Sequence, residues 1–183
     1  SIMAIQQVHH ADTSSSKVLG QLRGKRVLIT GTTGFLGKVV LEKLIRAVPD
    51  IGAIYLLIRG NKRHPDARSR FLEEIATSSV FDRLREADSE AFDAFLEERI
   101  HCVTGEVTEA GFGIGQEDYR KLATELDAVI NSAASVNFRE ELDKALAINT
   151  LCLRNIAGLA DLNPQLAVLQ VSTCYVNGMN SGQ

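Results

Sequence analysis

From Arg26 onward, short aliphatic runs alternate with longer stretches whose apolar residues recur every three or four positions. This alternation is the βαβα pattern of a parallel sheet covered by helices. The runs Arg26–Thr30, Ile54–Ile58, Ile100–Val103, Ala128–Asn131 and Ala167–Val171 are continuously apolar rather than alternating. A strand buried on both faces has that composition, so each is predicted to be an interior strand. Between them, Phe35–Val48 carries Leu36, Val39, Val40, Leu44 and Val48 at helical spacing and stops at Pro49, and Glu140–Leu159 reads as a second long helix. The expected fold class is α/β, a doubly wound parallel sheet with helices on both faces.

The segment Asp66–Arg99 is too long for a simple crossover. Its Phe71, Leu72, Ile75, Phe81, Leu84, Phe92, Phe95 and Leu96 are spaced for two or three amphipathic helices. Gly111, Gly113 and Gly115 follow no strand directly, so Ala110–Asp118 reads as a surface loop ahead of a helix over Glu117–Leu126. Residues 1–20 read as a flexible tail and residues 21–183 as one domain, which suits a length of 183 residues.

The first strand runs straight into Gly31-Thr32-Thr33-Gly34-Phe35-Leu36-Gly37, after which the first helix begins. A glycine triplet in a strand–turn–helix context is a dinucleotide-binding signal, and it makes the predicted fold Rossmann-type. Gly31 permits the tight turn, Gly34 lets backbone approach a pyrophosphate, and Gly37 lets the helix pack against the strand. Backbone N–H groups of the loop and helix start, with Thr33, Phe35 and Leu36 among their owners, then face the phosphates under a favourable helix dipole.

The second strand ends at Arg59, where NAD enzymes usually place an acidic residue on the ribose 2′-hydroxyl. Arg59 is followed by Lys62 and Arg63, and a guanidinium can pair bidentately with a 2′-phosphate, so the expected cofactor is NADP(H).

Charge and composition narrow the partners. A net charge of −3 gives no electrostatic reason to expect nucleic acid or an acidic membrane surface. No apolar run approaches the roughly 18 to 20 residues that cross a bilayer, so the expectation is a cytoplasmic protein without a membrane span. Cys102, Cys152 and Cys174 form no C-x-x-C pair and read as buried free thiols, and the four histidines are scattered, so no metal site is expected.

Several stretches resemble one family, the fatty acyl-CoA reductases and related thioester reductases, whose amino-terminal half is an extended short-chain dehydrogenase/reductase domain. The carriers are G-T-T-G-F-L-G at Gly31–Gly37, Y-L-L-I-R at Tyr55–Arg59, F-D-R-L at Phe81–Leu84, N-S-A-A-S-V-N-F at Asn131–Phe138, I-N-T at Ile148–Thr150 and V-S-T-C-Y-V-N-G at Val171–Gly178. The resemblance implies that Gly105 and Glu106 lie near the adenine, although the family has aspartate where this chain has Glu106. It implies that Ser132, Ala133 and Ala134 run close beneath the ribose and nicotinamide. Asn149 matches an asparagine that organises the active site. Of Ser172 and Thr173, which leave a strand at the ligand-binding edge of the sheet, one would hydrogen-bond the substrate carbonyl oxygen, Thr173 being preferred.

The same resemblance implies a Tyr-x-x-x-Lys pair, in which the lysine lowers the phenol's pKa. Tyr55, Tyr119 and Tyr175 are followed four residues on by Arg59, Ala123 and Met179, so none of them fits. The chain is therefore expected to be truncated before that segment and inactive alone, its parent enzyme reducing a long-chain acyl-CoA thioester with NADPH to an aldehyde or alcohol. Two other readings stay open: a nucleotide-sugar epimerase or dehydratase of the extended short-chain family, and a non-catalytic NADP(H)-sensing module. Oligomeric state is not predicted.

Overall fold

A computed structural model describes residues 17, 19–132 and 142–171, the side chains of residues 142–149 apart. Its strands are β1 (Arg26–Thr30), β2 (Ala53–Ile58), β3 (Ile100–Thr104), β4 (Ala128–Ser132) and β5 (Ala167–Val171). All pairings are parallel, in the order β3-β2-β1-β4-β5. The chain winds outward from β1 first towards β3 and then, past β4, towards β5, so the direction of winding reverses between β1 and β4. Open α/β sheets bind ligands at the carboxyl ends of the strands beside such a reversal. The predicted Rossmann-type fold is the fold observed.

Strand alternation divides the core. Val27, Ile29, Ile54, Leu56, Ile58 and Ile130 point to one face, where Leu41, Leu44 and Ile45 of helix α1 (Phe35–Ala47) meet them. Leu28, Leu57 and Val129 point to the other, against Leu122 and Ala123 of α5 (Gln116–Glu125) and Ile156 and Leu159 of α6 (Leu142–Leu162). Helix α1 ends where Val48 N–H closes on the Leu44 carbonyl, 2.8 Å away, because Pro49 has no N–H to continue the ladder.

The long connection after β2 is helical, as its apolar spacing predicts. Helix α2 (Ala67–Arg70) runs on into a π-helical turn at Phe71–Ile75, and a short 3-10 turn, α3 (Asp82–Ala87) and α4 (Ser89–Arg99) follow. Asp66 caps α2 by accepting from Ser69 N–H (3.1 Å), and Asp88 caps α4 through Ala91 N–H (3.0 Å). Phe71, Phe81 and Phe92 anchor the segment in the first core layer, each at most 3% exposed. Loss of one such ring typically costs about 3–5 kcal/mol, so the connection is part of the body of the domain.

Four expectations change. The strands β3 and β5 are the edges of the described sheet and are only partly buried, so the interior assignment holds for β1, β2 and β4 alone. An apolar run reports burial and cannot report how many neighbours a strand has. The stretch after β3 lies mostly at the surface but is not a plain loop: Ala110–Gly113 forms a 3-10 turn whose Phe112 is fully buried against Tyr119, ring centroids 5.9 Å apart. Helix α6 extends to Leu162 rather than stopping at Leu159. Leu19, inside the stretch expected to be tail, packs against the core.

Candidate functional site

The glycine loop follows β1 at the reversal point. Gly31 adopts φ +80°, and a Cβ there would stand 2.6 Å from the carbonyl oxygen of Ser132 at the end of β4. A Cβ on Gly37 would stand 2.1 Å from the Gly31 carbonyl oxygen. Both positions thus require glycine for reasons internal to the protein. Gly34 does not: its φ of −86° suits any residue, and a Cβ would meet only the Gly31 oxygen, at 3.4 Å. Gly34 caps α1 without a side-chain hydrogen bond, and the first turn of α1 holds no acidic residue. The N–H groups at this helix start are therefore left for an anion, with the helix dipole in its favour.

Polar atoms beside the loop point the same way. Thr32 and Ser132 are buried, yet Thr32 Oγ1 and Ser132 Oγ have no hydrogen-bond partner among the described residues. An orphaned buried hydroxyl typically costs about 1–3 kcal/mol, a cost that a polar ligand at the loop would relieve. Loop, helix start and orphaned hydroxyls fit the pyrophosphate of a dinucleotide.

A cleft of about 360 Å³ opens from Gly31 and Thr33 and is walled by Leu57, Arg59, Gly60, Asn61, Arg70, Gly105, Glu106 and Val107. A second, of about 500 Å³, shares Arg59, Gly60, Gly105 and Glu106 and reaches Phe112 and Gly113. Arg59, three-quarters exposed, faces Glu106 with Nε 3.5 Å from Oε2, and Glu106 also accepts from the Thr108 hydroxyl at 3.1 Å. Lys62 and Arg63 are exposed and do not line either cleft.

Arg70 was not indicated by the sequence, and the loop after β2 explains why it arrives. Asn61 N–H donates to the His64 carbonyl (2.9 Å) while Asn61 Oδ1 accepts from His64 N–H (2.6 Å), folding residues 61–64 back on themselves. The Asn61 amide and Arg70 Nε both donate to the Glu74 carboxylate, at 3.0 Å each, and Arg70 also donates to the Arg59 carbonyl. These bonds, that from Asn61 first, hold the Glu74 carboxyl below the usual glutamate range.

Beneath the loop, a polar chain joins the central strands. Thr30 Oγ1 donates to Asn131 Oδ1 (2.6 Å), Asn131 Nδ2 donates to Gln170 Oε1 (2.8 Å), and the Cys152 thiol lies 3.5 Å from Asn131 Oδ1. Burial pushes the Cys152 thiol up, and pushes Cys102 up to about 11. Among the described residues no cluster of His, Cys, Asp and Glu could hold a metal, and no helix is long and apolar enough to cross a membrane.

Thus Gly31, Thr33, Arg59, Gly105 and Glu106 come together in one cleft, while Gly34, Phe35, Leu36 and Gly37 form the adjoining loop and helix start and Ser132 stands beside them. Ala133, Ala134, Ser172, Thr173 and Cys174 lie outside the described residues, and Asn149 is placed on α6 without its side chain.

Known proteins agree with this geometry. Residues 29–183 match the NAD-binding family described as male sterility protein. Fatty acyl-CoA reductase 2, chloroplastic, of Arabidopsis thaliana is 38% identical over 167 residues, covering 91% of this chain and 27% of its own length. Human fatty acyl-CoA reductase 1 is 35% identical over 153 residues, 83% of this chain and 28% of its own. The chain thus spans between a quarter and a third of these relatives. Among solved structures, the terminal R domain of the myxalamid PKS-NRPS pathway superposes with a TM-score of 0.61 at 28% identity, covering 83% of this chain and 35% of its own. The reductase domain of a nonribosomal peptide synthetase from Mycobacterium tuberculosis does so with 0.58 at 27%, covering 92% and 39%. A glycine loop shaped for a pyrophosphate, at the reversal point of a parallel sheet, is what these reductases would share with it, and the chain belongs to the NAD-binding male sterility protein family, alongside the fatty acyl-CoA reductases.

Proposed function

We propose that these residues are the cofactor-binding part of an NADPH-dependent reductase that converts a long-chain fatty acyl-CoA thioester to the fatty aldehyde, or onward to the fatty alcohol. Two guanidinium groups that line the cleft, Arg59 and Arg70, carry the choice of NADP(H). A 2′-phosphate there would gain charge-assisted hydrogen bonds that the 2′-hydroxyl of NAD(H) cannot offer in return. The substrate class is supported by the 35–38% identity to acyl-CoA reductases, higher than the 27–28% to peptide-synthetase reductase domains.

The reduced dinucleotide, when bound, supplies the hydride. The chain's own residues bind and orient it: N–H groups at Phe35–Gly37 take the pyrophosphate, Arg59 the 2′-phosphate, and Gly105 and Glu106 border the adenine. Ser132, Ala133, Ala134 and Asn149 are assigned to the ribose and nicotinamide side. Thr173, or else Ser172, would donate to the substrate carbonyl oxygen, where such a bond is worth about 3 kcal/mol as negative charge develops. The 183 residues hold no Tyr-x-x-x-Lys pair, so proton donation to that oxygen is assigned to none of them, and on their own they bind without turnover.

The test is an assay of the whole protein with NADPH and a panel of acyl-CoA and nucleotide-sugar substrates. Acyl-CoA-dependent NADPH oxidation with release of free CoA is expected. Turnover of a nucleotide sugar instead would overturn the reading in favour of an epimerase or dehydratase. NADPH binding with no turnover of any substrate would favour a sensing module.

A further inference from the structure

Asn155 lies on the core-facing side of α6, among Cys152, Ile156 and Leu159, and is 8% exposed. A buried amide in an apolar seam must be fully paired, and this one is. Its Nδ2 donates to the carbonyl oxygens of Val107 (2.9 Å) and Glu109 (2.7 Å), and its Oδ1 accepts from Gly111 N–H (3.0 Å). All three partners are backbone groups of the turn after β3.

That turn needs external support. Gly111 and Phe112 sit consecutively in the left-handed region, at φ +58° and +57°, and Phe112 is the non-glycine residue at positive φ among the described residues. The turn's shape passes directly to the cleft, since Glu106 N–H donates to the Phe112 carbonyl (2.9 Å) and Phe112 N–H to the Glu109 carbonyl (3.0 Å). Gly105 and Glu106 form part of the cleft wall.

We propose that Asn155 is a positioning residue for the adenine half of the dinucleotide: its three hydrogen bonds hold the 107–111 turn in the shape that keeps Gly105 and Glu106 at the wall of the cleft. Asn155 touches neither the glycine loop nor the start of α1 in these bonds, so it sets affinity for the adenosine portion and not for the pyrophosphate. This rests on the assignment of the cleft to the adenine made above. Tyr119 supplies an internal control, because its hydroxyl donates to the Asn155 main-chain carbonyl (2.5 Å) and supports the same stretch of helix without bonding to the turn's backbone.

The test uses AMP, 2′,5′-ADP and inorganic pyrophosphate as probes, titrated by NMR into the wild-type protein, Asn155→Ala and Tyr119→Phe. Asn155→Ala is expected to weaken AMP and 2′,5′-ADP by about tenfold while pyrophosphate stays within about twofold, and Tyr119→Phe to leave all three within about twofold. Equal weakening of all three probes by Asn155→Ala, or unchanged AMP binding, overturns the proposal. Should the wild type bind AMP as tightly as 2′,5′-ADP, the NADP(H) reading fails while the Asn155 effect is still read on AMP. Absence of AMP binding by the wild type overturns both. Hydrogen exchange on the wild type gives a readout independent of the variant's folding. Saturation with AMP should slow exchange at the Glu106, Gly111 and Phe112 amides together, and no change at these three overturns the proposal.

Discussion

The Gly37 Cα and the Gly31 carbonyl oxygen approach so closely that a Cβ on Gly37 would lie 2.1 Å from that oxygen, well inside van der Waals contact. Alanine at 37 must push α1 off β1, an overpacking cost of about 3 kcal/mol. For a domain of this size that lowers Tm by roughly 6–12 °C. Gly34→Ala, which meets only an ordinary contact, is expected to leave Tm within about 2 °C yet weaken dinucleotide binding by about tenfold or more, because its methyl occupies the approach of the pyrophosphate. Thermal unfolding and cofactor titration of the two variants read these opposite patterns.

The Thr30, Asn131 and Gln170 side chains share one chain of hydrogen bonds across β1, β4 and β5, buried at Thr30 and Asn131 and half-buried at Gln170. Asn131→Ala strands the Thr30 hydroxyl and the Gln170 amide, and should destabilise the protein by about 2–3 kcal/mol in denaturant unfolding. A loss below about 0.5 kcal/mol would mean that the chain does not hold the strand ends together.

The Glu74 carboxyl is held below its ordinary pKa, first by Asn61 and then by Arg70. A depressed folded pKa gives stability that is fully present above the unfolded value of about 4.3 and is lost as pH falls through the lower, folded value. The stability difference between wild type and Glu74→Gln should therefore be constant near neutrality and shrink below about pH 4. A difference independent of pH over that range would show that the carboxylate's charge is not what holds Asn61 and Arg70.

Burial, the largest influence on it, raises the Cys102 thiol to about 11, and it raises Cys152 as well. At pH 8 only about one Cys102 in a thousand is a thiolate, so alkylation of the folded protein at Cys102 and Cys152 should be far slower than after unfolding. Peptide mapping after a short iodoacetamide pulse checks this, and rapid labelling of either residue in the native protein would contradict it.

The strands and the glycine loop were legible because each depends on local signals: an unbroken apolar run, and glycines at fixed offsets after a strand. Arg70 was not, since it enters the cleft only through the fold-back of residues 61–64, eleven positions after Arg59. The turn at Ala110–Gly113 was read as surface because its glycines follow no strand, whereas left-handed backbone at Gly111 and Phe112 turns the phenyl inward. Asn155 did leave a trace, a single amide at a core position between Cys152 and Leu159. Its partners lie more than forty residues away, and no local pattern names them.

The cofactor preference is the claim on which the functional reading turns, and equilibrium titration with NADPH and NADH tests it most directly. The wild-type protein should bind NADPH at least about tenfold more tightly, and Arg59→Ala should remove most of that margin, about 1.5–3 kcal/mol, while leaving NADH binding nearly unchanged. Equal affinity for the two cofactors, or tighter binding of NADH, would contradict the assignment of Arg59 to the 2′-phosphate.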